Sequence, residues 1–287
     1  MRLHVGCSGW FYSHWRGIFY PPQEPTTKNW FAYYANVFDT VELNAPFYRW
    51  PKPATVKRWR RDAPANFIYT VKANQLITHD RRMVRARKHV NAYYEIASML
   101  GEKMGCFLFQ FPPSYRYSAA RLRSIVTHLD PAYRNVVEFR HRTWWRESVF
   151  ERLAEHRIAF CAVSAPRLPE TFPAYQPLLY VRLSGKTRWY RHDYSRDELK
   201  TWAERIRDSG AEEVWVYFNN DREGHAIKNA LVLRRMLRAM GLTSSPMLNA
   251  PPPGQAHLVN SGRLSDVSRD LTAQRARLPS PSRHQPV

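Results

Sequence analysis

The chain of 287 residues has a mass of 33.9 kDa, which suits one large barrel domain with an extension, although two compact domains also fit this length. Hydrophobic residues make up 44% of the sequence, which disfavours a chain disordered throughout. They form no long uninterrupted apolar run, which disfavours a membrane-spanning protein. The net charge of +20 and the pI near 10.2 favour an anionic partner such as nucleic acid, a phosphorylated metabolite or an acidic lipid surface.

Short apolar runs alternate along the chain with segments of helical periodicity, which is the pattern of repeated βα units around a parallel sheet. The clearest helices are predicted at residues 81–100 and 225–240, where apolar residues recur at helical spacing beside charged ones. Eight strands with eight crossovers predict an α/β fold, a TIM-like (β/α)8 barrel. The predicted strands are 3–7, 40–44, 67–71, 106–109, 135–139, 158–163, 178–183 and 213–218.

The composition changes near residue 241, where Pro, Ser and Arg become frequent and the periodicity ends. We therefore predict a barrel domain at residues 1–240 and a disordered Pro/Ser/Arg-rich tail at residues 241–287. The tail contains five arginines and two aspartates, so most of the positive charge belongs to the barrel.

The first residues lack the apolar core of a signal peptide, and the three cysteines, Cys7, Cys106 and Cys161, are far apart within apolar runs. Such cysteines are predicted to be reduced, buried thiols and not a disulfide framework or zinc site. We expect a cytoplasmic protein that makes no contact with a membrane.

Polar residues follow several predicted strands at their carboxyl ends, which is the reactive face of such a barrel. Glu42 and Glu138 are candidates for proton transfer, Lys72 for a cation, base or imine former, and Arg140 and Arg182 for binding negative charge. Because side chains alternate along a strand, Glu42 is expected to share a face with Asn44, and Glu138 with Arg140. The alternative is that these residues form structural ion pairs in the top layer of the barrel.

The loops after the seventh and eighth strands are a second candidate region, because such loops often bind phosphate beside a helix N-terminus. Asn219, Asn220 and Asp221 lie there, although Asn220 or Asp221 could equally cap the last helix. After the first strand, Ser8 is expected to face the mouth. After the third strand, His79 is a candidate proton shuttle, with a cap or a surface group as the alternative.

No His or Cys pair has the spacing of metal ligands, and no GxGxxG fingerprint is present, so neither a metal nor a cofactor is predicted. Aromatic and basic residues are interleaved in residues 57–61, 140–146 and 186–192. That combination suits a noncatalytic nucleic-acid-binding protein with basic-aromatic surface patches. The alternative is that these aromatic residues pack between the barrel helices.

A series of motifs, which follow one another in the family's order over residues 1 to about 240, gives the chain a resemblance to the DUF72 (YecE-like) family. They include Gly6-Cys7-Ser8-Gly9-Trp10, Val41-Glu42-Leu43-Asn44, Phe47-Tyr48-Arg49, Gln110-Phe111-Pro112-Pro113, Val137-Glu138-Phe139-Arg140-His141 and Tyr217-Phe218-Asn219-Asn220-Asp221. The resemblance implies a TIM-like barrel and no settled activity. This chain has Ser184 where the family usually has a histidine, and Pro46 where it usually has a small hydroxyl residue.

We expect an enzyme that binds a small anionic or phosphorylated substrate at the barrel mouth and uses carboxylate acid/base chemistry, with a hydrolase or lyase reaction favoured. The oligomeric state is left open. The predicted catalytic residues are Glu42, Lys72, His79 and Glu138. The predicted substrate-binding residues are Ser8, Asn44, Tyr48, Gln110, Arg140, Arg182, Asn219, Asn220 and Asp221.

Overall fold

The computed structural model describes residues 1–23, 27, 29–173 and 176–242, and these residues form a closed barrel of eight parallel strands. Each strand pairs with the next one along the chain, so the predicted (β/α)8 barrel is confirmed. The predicted tail lies outside the described residues except for Gly241 and Leu242. The strands are β1 (Arg2–Cys7), β2 (Thr40–Leu43), β3 (Ile68–Lys72), β4 (Met104–Gln110), β5 (Asn135–Glu138), β6 (Ile158–Ser164), β7 (Leu178–Leu183) and β8 (Glu213–Phe218).

Helices surround this barrel and bury its outer face. The last of them begins and ends within one residue of the segment predicted from periodicity. None of the helices in the described residues combines the length and the apolar character needed to cross a bilayer. The α-helices are α1 (Trp30–Val37), α2 (Ala45–Tyr48), α3 (Pro53–Asp62), α4 (Arg87–Ser98), α5 (Ala119–His128), α6 (Glu147–Glu155), α7 (Arg196–Arg207) and α8 (His225–Ala239).

The helix predicted at residues 81–100 is wrong at its start, because α4 begins only at Arg87. Arg82, Met83 and Arg85 have φ angles of 50°, 63° and 48°, which are left-handed and end any right-handed helix. This turn is held in place because the Met83 side chain is buried and its N–H donates to the Ile77 carbonyl at 3.0 Å. A π-helix, Leu76–Asp80, precedes the turn.

Alternation along the strands separates two apolar regions. Residues such as Phe107, Val181 and Val216 face outward and pack against the helices. Residues such as Leu108 and Trp215 face inward and fill the barrel. All three cysteines are buried and none forms a disulfide, as predicted.

The barrel closes through β1, which pairs with β8 along its whole length, from Arg2 opposite Glu213 to Cys7 opposite Phe218. With β2 it shares one register pair, Cys7 opposite Val41. Closure therefore depends mainly on the first and last strands of the barrel.

The close approach of β1 to β2 requires a glycine at position 6. A Cβ atom on Gly6 would lie 2.4 Å from the Thr40 carbonyl oxygen, which is backbone and cannot move aside. We expect Gly6→Ala to lower the free energy of unfolding by about 1–3 kcal/mol, measured by urea denaturation. Ser13→Ala, at an exposed position, is the control and should change it by less than about 0.5 kcal/mol. Equal effects of the two substitutions would contradict this prediction.

Candidate functional site

Glu42, Glu138 and Arg182 meet inside the barrel, near the carboxyl ends of β2, β5 and β7, and their side chains are fully buried. Arg182 donates from Nη2 to Glu42 Oε1 at 2.7 Å and from Nε to Glu42 Oε2 at 3.0 Å. Its Nη1 atom donates to Glu138. We call these three residues the Glu–Arg–Glu triad. Three of the five N–H groups of Arg182 therefore donate to the two carboxylates, and these bonds fix the orientation of the guanidinium.

Both carboxylates of the triad have further partners. Glu42 accepts from the Ser8 hydroxyl and the Tyr180 hydroxyl, each at 2.7 Å. Glu138 accepts from Arg140 Nε at 3.0 Å. Burial alone would raise the pKa of Glu138, but Arg182, Arg140 and Lys72 outweigh it and lower the pKa to about 2. Glu138 is therefore ionised at neutral pH and is a weak base.

Arg140 follows β5 and connects the triad to the mouth of the barrel. Its side chain is 11% exposed, and its Nη1 atom donates to the Tyr190 hydroxyl at 3.0 Å. The guanidinium carbon lies 4.6 Å from the ring centroid of Trp189. Among the described residues, its Nη2 atom has no hydrogen-bond partner, so this group is available to an anionic ligand.

Lys72 is the last residue of β3 and is buried, with 8% of its surface exposed. Burial lowers its pKa from the ordinary 10.5 to about 7, helped by Arg182 and Arg140 and opposed by Glu138 and Glu42. Its Nζ atom lies 3.8 Å from the ring centroid of Phe47. It forms no ion pair with any carboxylate of the described chain. A large fraction of this lysine is therefore a neutral amine at pH 7, able to act as a base or a nucleophile.

His79 lies in the π-helix that follows β3 and also contacts Phe47. The rings of His79 and Phe47 are 5.0 Å apart and nearly perpendicular. Burial, followed by the charges of Lys72 and Arg140, lowers the pKa of His79 to about 4. Its Nδ1 atom is 2.9 Å from the Thr78 hydroxyl. The imidazole is thus neutral at pH 7, and π-helical turns of this kind are frequent at functional sites.

Three other residues predicted for the site lie around this group. Ser8 is buried and bound to Glu42. The Asn44 amide nitrogen donates to the Ser8 carbonyl at 3.2 Å, while its Oδ1 atom is buried without a partner in the described chain. Tyr48 is 59% exposed. Burial and the Tyr190 hydroxyl raise the pKa of Tyr48 and Arg140 lowers it, so this side chain lies near Arg140 at the mouth.

The remaining predicted residues have other partners. Gln110 donates to the Phe111 carbonyl at 2.9 Å. Asn220 is buried and donates to the His192 carbonyl and the Asn229 side chain, both at 2.7 Å. The N–H group of Asn219 donates to the Leu183 carbonyl at 2.9 Å. The two Asn220 contacts join the loop after β8 to the segment at His192 and to α8.

The loop after β8 departs from the capping expectation for the last helix. The helix α8 follows Gly224, which is left-handed, and no side chain caps its first turn. Asp221 instead lies 3.5 Å from His14 Nε2, and burial raises the pKa of its carboxyl group. Its contact with His14 joins the first and last βα loops of the barrel.

Three residues of the site, Tyr180, Phe47 and Tyr190, were not predicted from the sequence in the roles they have here. Tyr180 lies two residues before Arg182 in the same strand, so alternation places both on the inner face, and that signal was available. Phe47 and Tyr190 lie in loops, where no periodicity indicates which residue approaches Lys72 or Arg140.

The basic-aromatic segments contain fewer accessible rings than the sequence suggests. Trp144 is fully buried and Trp59 is 9% exposed, so both pack within the protein. Trp189 and Tyr190 are half-buried beside Arg140. Of these four rings, the two at the barrel mouth are therefore the more accessible. In the described part of the chain, no three His, Cys, Asp or Glu side chains are grouped as ligands for a metal ion.

Comparisons with known proteins agree on one family. Residues 4–255 match the family described as "Protein of unknown function DUF72". The "UPF0759 protein YunF" of Bacillus subtilis (strain 168) is 24% identical over 271 residues, covering 82% of this chain and 94% of the relative. The "UPF0759 protein YecE" of Escherichia coli (strain K12) is 25% identical over 113 residues, covering 39% of each chain.

Two solved structures are similar over most of their length. A DUF72 family protein from Thermotoga maritima MSB8 superposes with a TM-score of 0.73 and 30% identity, covering 83% of this chain and 100% of that one. A DUF72 family protein from Enterococcus faecalis V583 superposes with a TM-score of 0.70 and 20% identity, covering 86% and 98%. The second likeness concerns the fold alone.

Proposed function

The chain belongs to the DUF72 family, and we propose that it is an enzyme which binds a phosphorylated or other anionic substrate at the carboxyl-terminal mouth of its barrel. The observation that carries this proposal is Lys72, a buried amine that lies against Phe47 and has no ion pair of its own in the described chain. Burial lowers its pKa, and the charges of Arg182 and Arg140 lower it further. A side chain in that position costs folding stability, since its charged form is disfavoured. Groups whose pKa is shifted in this way are concentrated at active sites.

Lys72 and His79 are better suited to proton transfer than the carboxylates of the triad. At pH 7 His79 is neutral and a large fraction of Lys72 is neutral, and both side chains contact Phe47. Glu42 accepts four hydrogen bonds, and Glu138 is ionised and paired with two arginines. We therefore assign proton transfer to Lys72 and His79. The triad positions Arg140 and sets the electrostatic field around Lys72.

Arg140 is the residue assigned to bind the substrate's negative charge. Its Nη2 atom is available, while Glu138 and Tyr190 fix its orientation. Tyr48 and Trp189, at the rim, provide aromatic surface beside this group.

A lyase reaction fits these groups best. Neutral Lys72 takes a proton from a carbon atom of the substrate, the C–H electron pair forms a double bond, and the adjacent bond to the anionic group breaks. The leaving group departs with that bond's electron pair and is held by Arg140. This elimination needs one base and one anion-binding group, and the mouth provides both.

A screen of phosphosugars and nucleotides, read as a rise in melting temperature, tests the proposal. We expect binding compounds to lose most of their effect in Arg140→Met. Lys72→Met should reduce turnover of the same compounds about 10²- to 10⁴-fold while binding is retained. Lys88→Met, at an exposed position on α4, is the matched control and should turn over like the wild type. Failure of every anion to bind, or full turnover by Lys72→Met, would contradict the proposal.

A further inference from the structure

Three neighbouring loops at the mouth carry an unusual concentration of arginine. Residues 81–87 after β3 contain four arginines, residues 111–118 after β4 contain one, and residues 139–146 after β5 contain three. None of the three segments contains Asp or Glu. We call them together the arginine arc. One small substrate with a single phosphate group does not need so many cations.

The three loops of the arginine arc form one continuous surface. Arg82 Nη2 donates to the Ser114 hydroxyl at 3.2 Å, which joins the first loop to the second. The Tyr117 N–H group donates to the Thr143 hydroxyl at 2.9 Å, which joins the second to the third. Burial lowers the pKa of His141, and the charges of Arg116 in the second loop and Arg142 in the third lower it further. The positive charges of these two loops therefore lie near one another.

The charges of the arc are largely unneutralised. Arg81, Arg85, Arg116 and Arg142 are exposed, and within the described residues Arg140 is the member of the arc that pairs with a carboxylate. Some exposed arginines elsewhere are neutralised by a carboxylate. Arg60 pairs with Glu102, Arg152 with Glu155 and Arg207 with Asp208. The arc is therefore a surface where positive charge meets solvent without a counter-charge from the described chain.

Neighbouring residues hold part of the arc in a strained backbone conformation. The left-handed residues Arg82, Met83 and Arg85 each carry a conformational cost. Met83 is buried between them, while Val84 is 63% exposed. The Tyr115 hydroxyl donates to the Arg82 carbonyl, and the Ser124 hydroxyl to the Met83 carbonyl at 2.8 Å. This loop thus presents Arg81, Val84 and Arg85 to solvent from a backbone fixed by its neighbours.

We propose that the arginine arc binds the sugar–phosphate backbone of a single-stranded nucleic acid, one nucleotide of which enters the barrel mouth. A row of phosphates matches a row of unpaired arginines, and Tyr48, Trp189 and Tyr190 provide rings on which bases can stack. Lys72 is buried below the rim, so a nucleotide must leave its base stack to reach it. Binding of the backbone by the arc does not depend on the proposed function. The entry of one nucleotide into the mouth as a substrate rests on it.

Binding of fluorescein-labelled oligothymidine, followed by fluorescence polarisation between about 50 and 200 mM salt, tests this inference. The triple variant Arg81→Ser/Arg85→Ser/Arg116→Ser should bind at least 10-fold more weakly than the wild type. Its log–log salt dependence should be shallower by about 2, because each phosphate contact on a single strand contributes about 0.7. All three positions are exposed, and an unchanged melting temperature will show that the variant folds.

The control is the triple variant Arg60→Ser/Arg152→Ser/Arg207→Ser. It also loses three positive charges and should bind within twofold of the wild type. Equal weakening in both triple variants, or tighter binding of the matched duplex than of the single strand, would overturn the inference. So would the absence of any binding. If phosphosugars still bind through Arg140 in that case, the proposed function survives and only the arc has failed.

Discussion

Replacing Lys72 by methionine should increase the free energy of unfolding at pH 7 by about 2–4 kcal/mol. The pKa of Lys72 is lowered from 10.5 in the unfolded chain to about 7 in the barrel by burial, Arg182 and Arg140. The unfolded chain therefore holds this proton more tightly, and the difference destabilises the fold. Methionine has a similar length and no charge, so it fills the same space beside Phe47 without that cost. Urea denaturation at pH 7 measures the effect.

The pH dependence of Lys72→Met has a defined sign. Between pH 7 and 10.5 the unfolded chain binds more protons than the folded one at this position. The free energy of unfolding of the wild type therefore rises with pH over this range, relative to that of the variant. The advantage of Lys72→Met is largest at or below pH 7 and disappears near pH 10.5. Lys88→Met should show neither effect. A Lys72→Met variant less stable than the wild type at pH 7 would show that the buried amine does not destabilise the fold. A variant that is both more stable and inactive would exclude unfolding as the cause of lost turnover.

Arg182→Met should have the opposite effect and destabilise the barrel by about 3–5 kcal/mol. It removes the one group that pairs with both Glu42 and Glu138, and leaves two carboxylates buried with fewer donors. That loss is a large share of the stability of a typical domain. The triple variant Arg182→Met/Glu42→Gln/Glu138→Gln removes the charges together and should recover much of it. Denaturation in urea at pH 7 compares these proteins with the wild type.

The loss of stability at low pH gives a second measure of how much the triad stabilises the fold. Glu138 has its pKa lowered from 4.5 to about 2, so its stabilising contribution is present above pH 4.5 and is lost as pH falls toward 2. In Arg182→Met this contribution is reduced, and the gap between wild type and variant should narrow as the pH falls below 4.5. Arg207→Met, whose partner Asp208 is exposed, should change stability by less than about 0.5 kcal/mol at any of these pH values. A loss below about 1 kcal/mol in Arg182→Met would show that the triad is not a major contributor.

The strands were predictable because each is a short apolar run whose alternation is local information. The same alternation indicates that Glu42 and Asn44 share a face, and that polar residues gather at one end of the barrel. Pairing across the barrel is different, because Arg182 meets Glu42 only when β7 and β2 are on opposite sides of a closed sheet. Nothing near either residue in sequence indicates that Arg182 takes both carboxylates and leaves Lys72 without one.

The loops were the least predictable part of the site. The start of the helix predicted at residues 81–100 was wrong because long-range contacts hold Met83 in a left-handed turn. Asn220 was one of two candidates to cap the last helix, but its side chain does not cap α8 and donates to Asn229 and to the His192 carbonyl. In each case a tertiary contact decides the role of a side chain whose type alone allows several.

The pairing of β1 with β8 makes the order of synthesis important. The strand that leaves the ribosome first has one register pair with its neighbour β2 and waits for the last strand before most of its backbone groups are bonded. Barrel closure therefore comes late in synthesis and is reached only after residue 218 has emerged. Until then both edges of the nascent sheet are open to other chains. Truncation before β8 should yield aggregates instead of a smaller domain, and this protein should depend on chaperones more than its stability once folded would suggest.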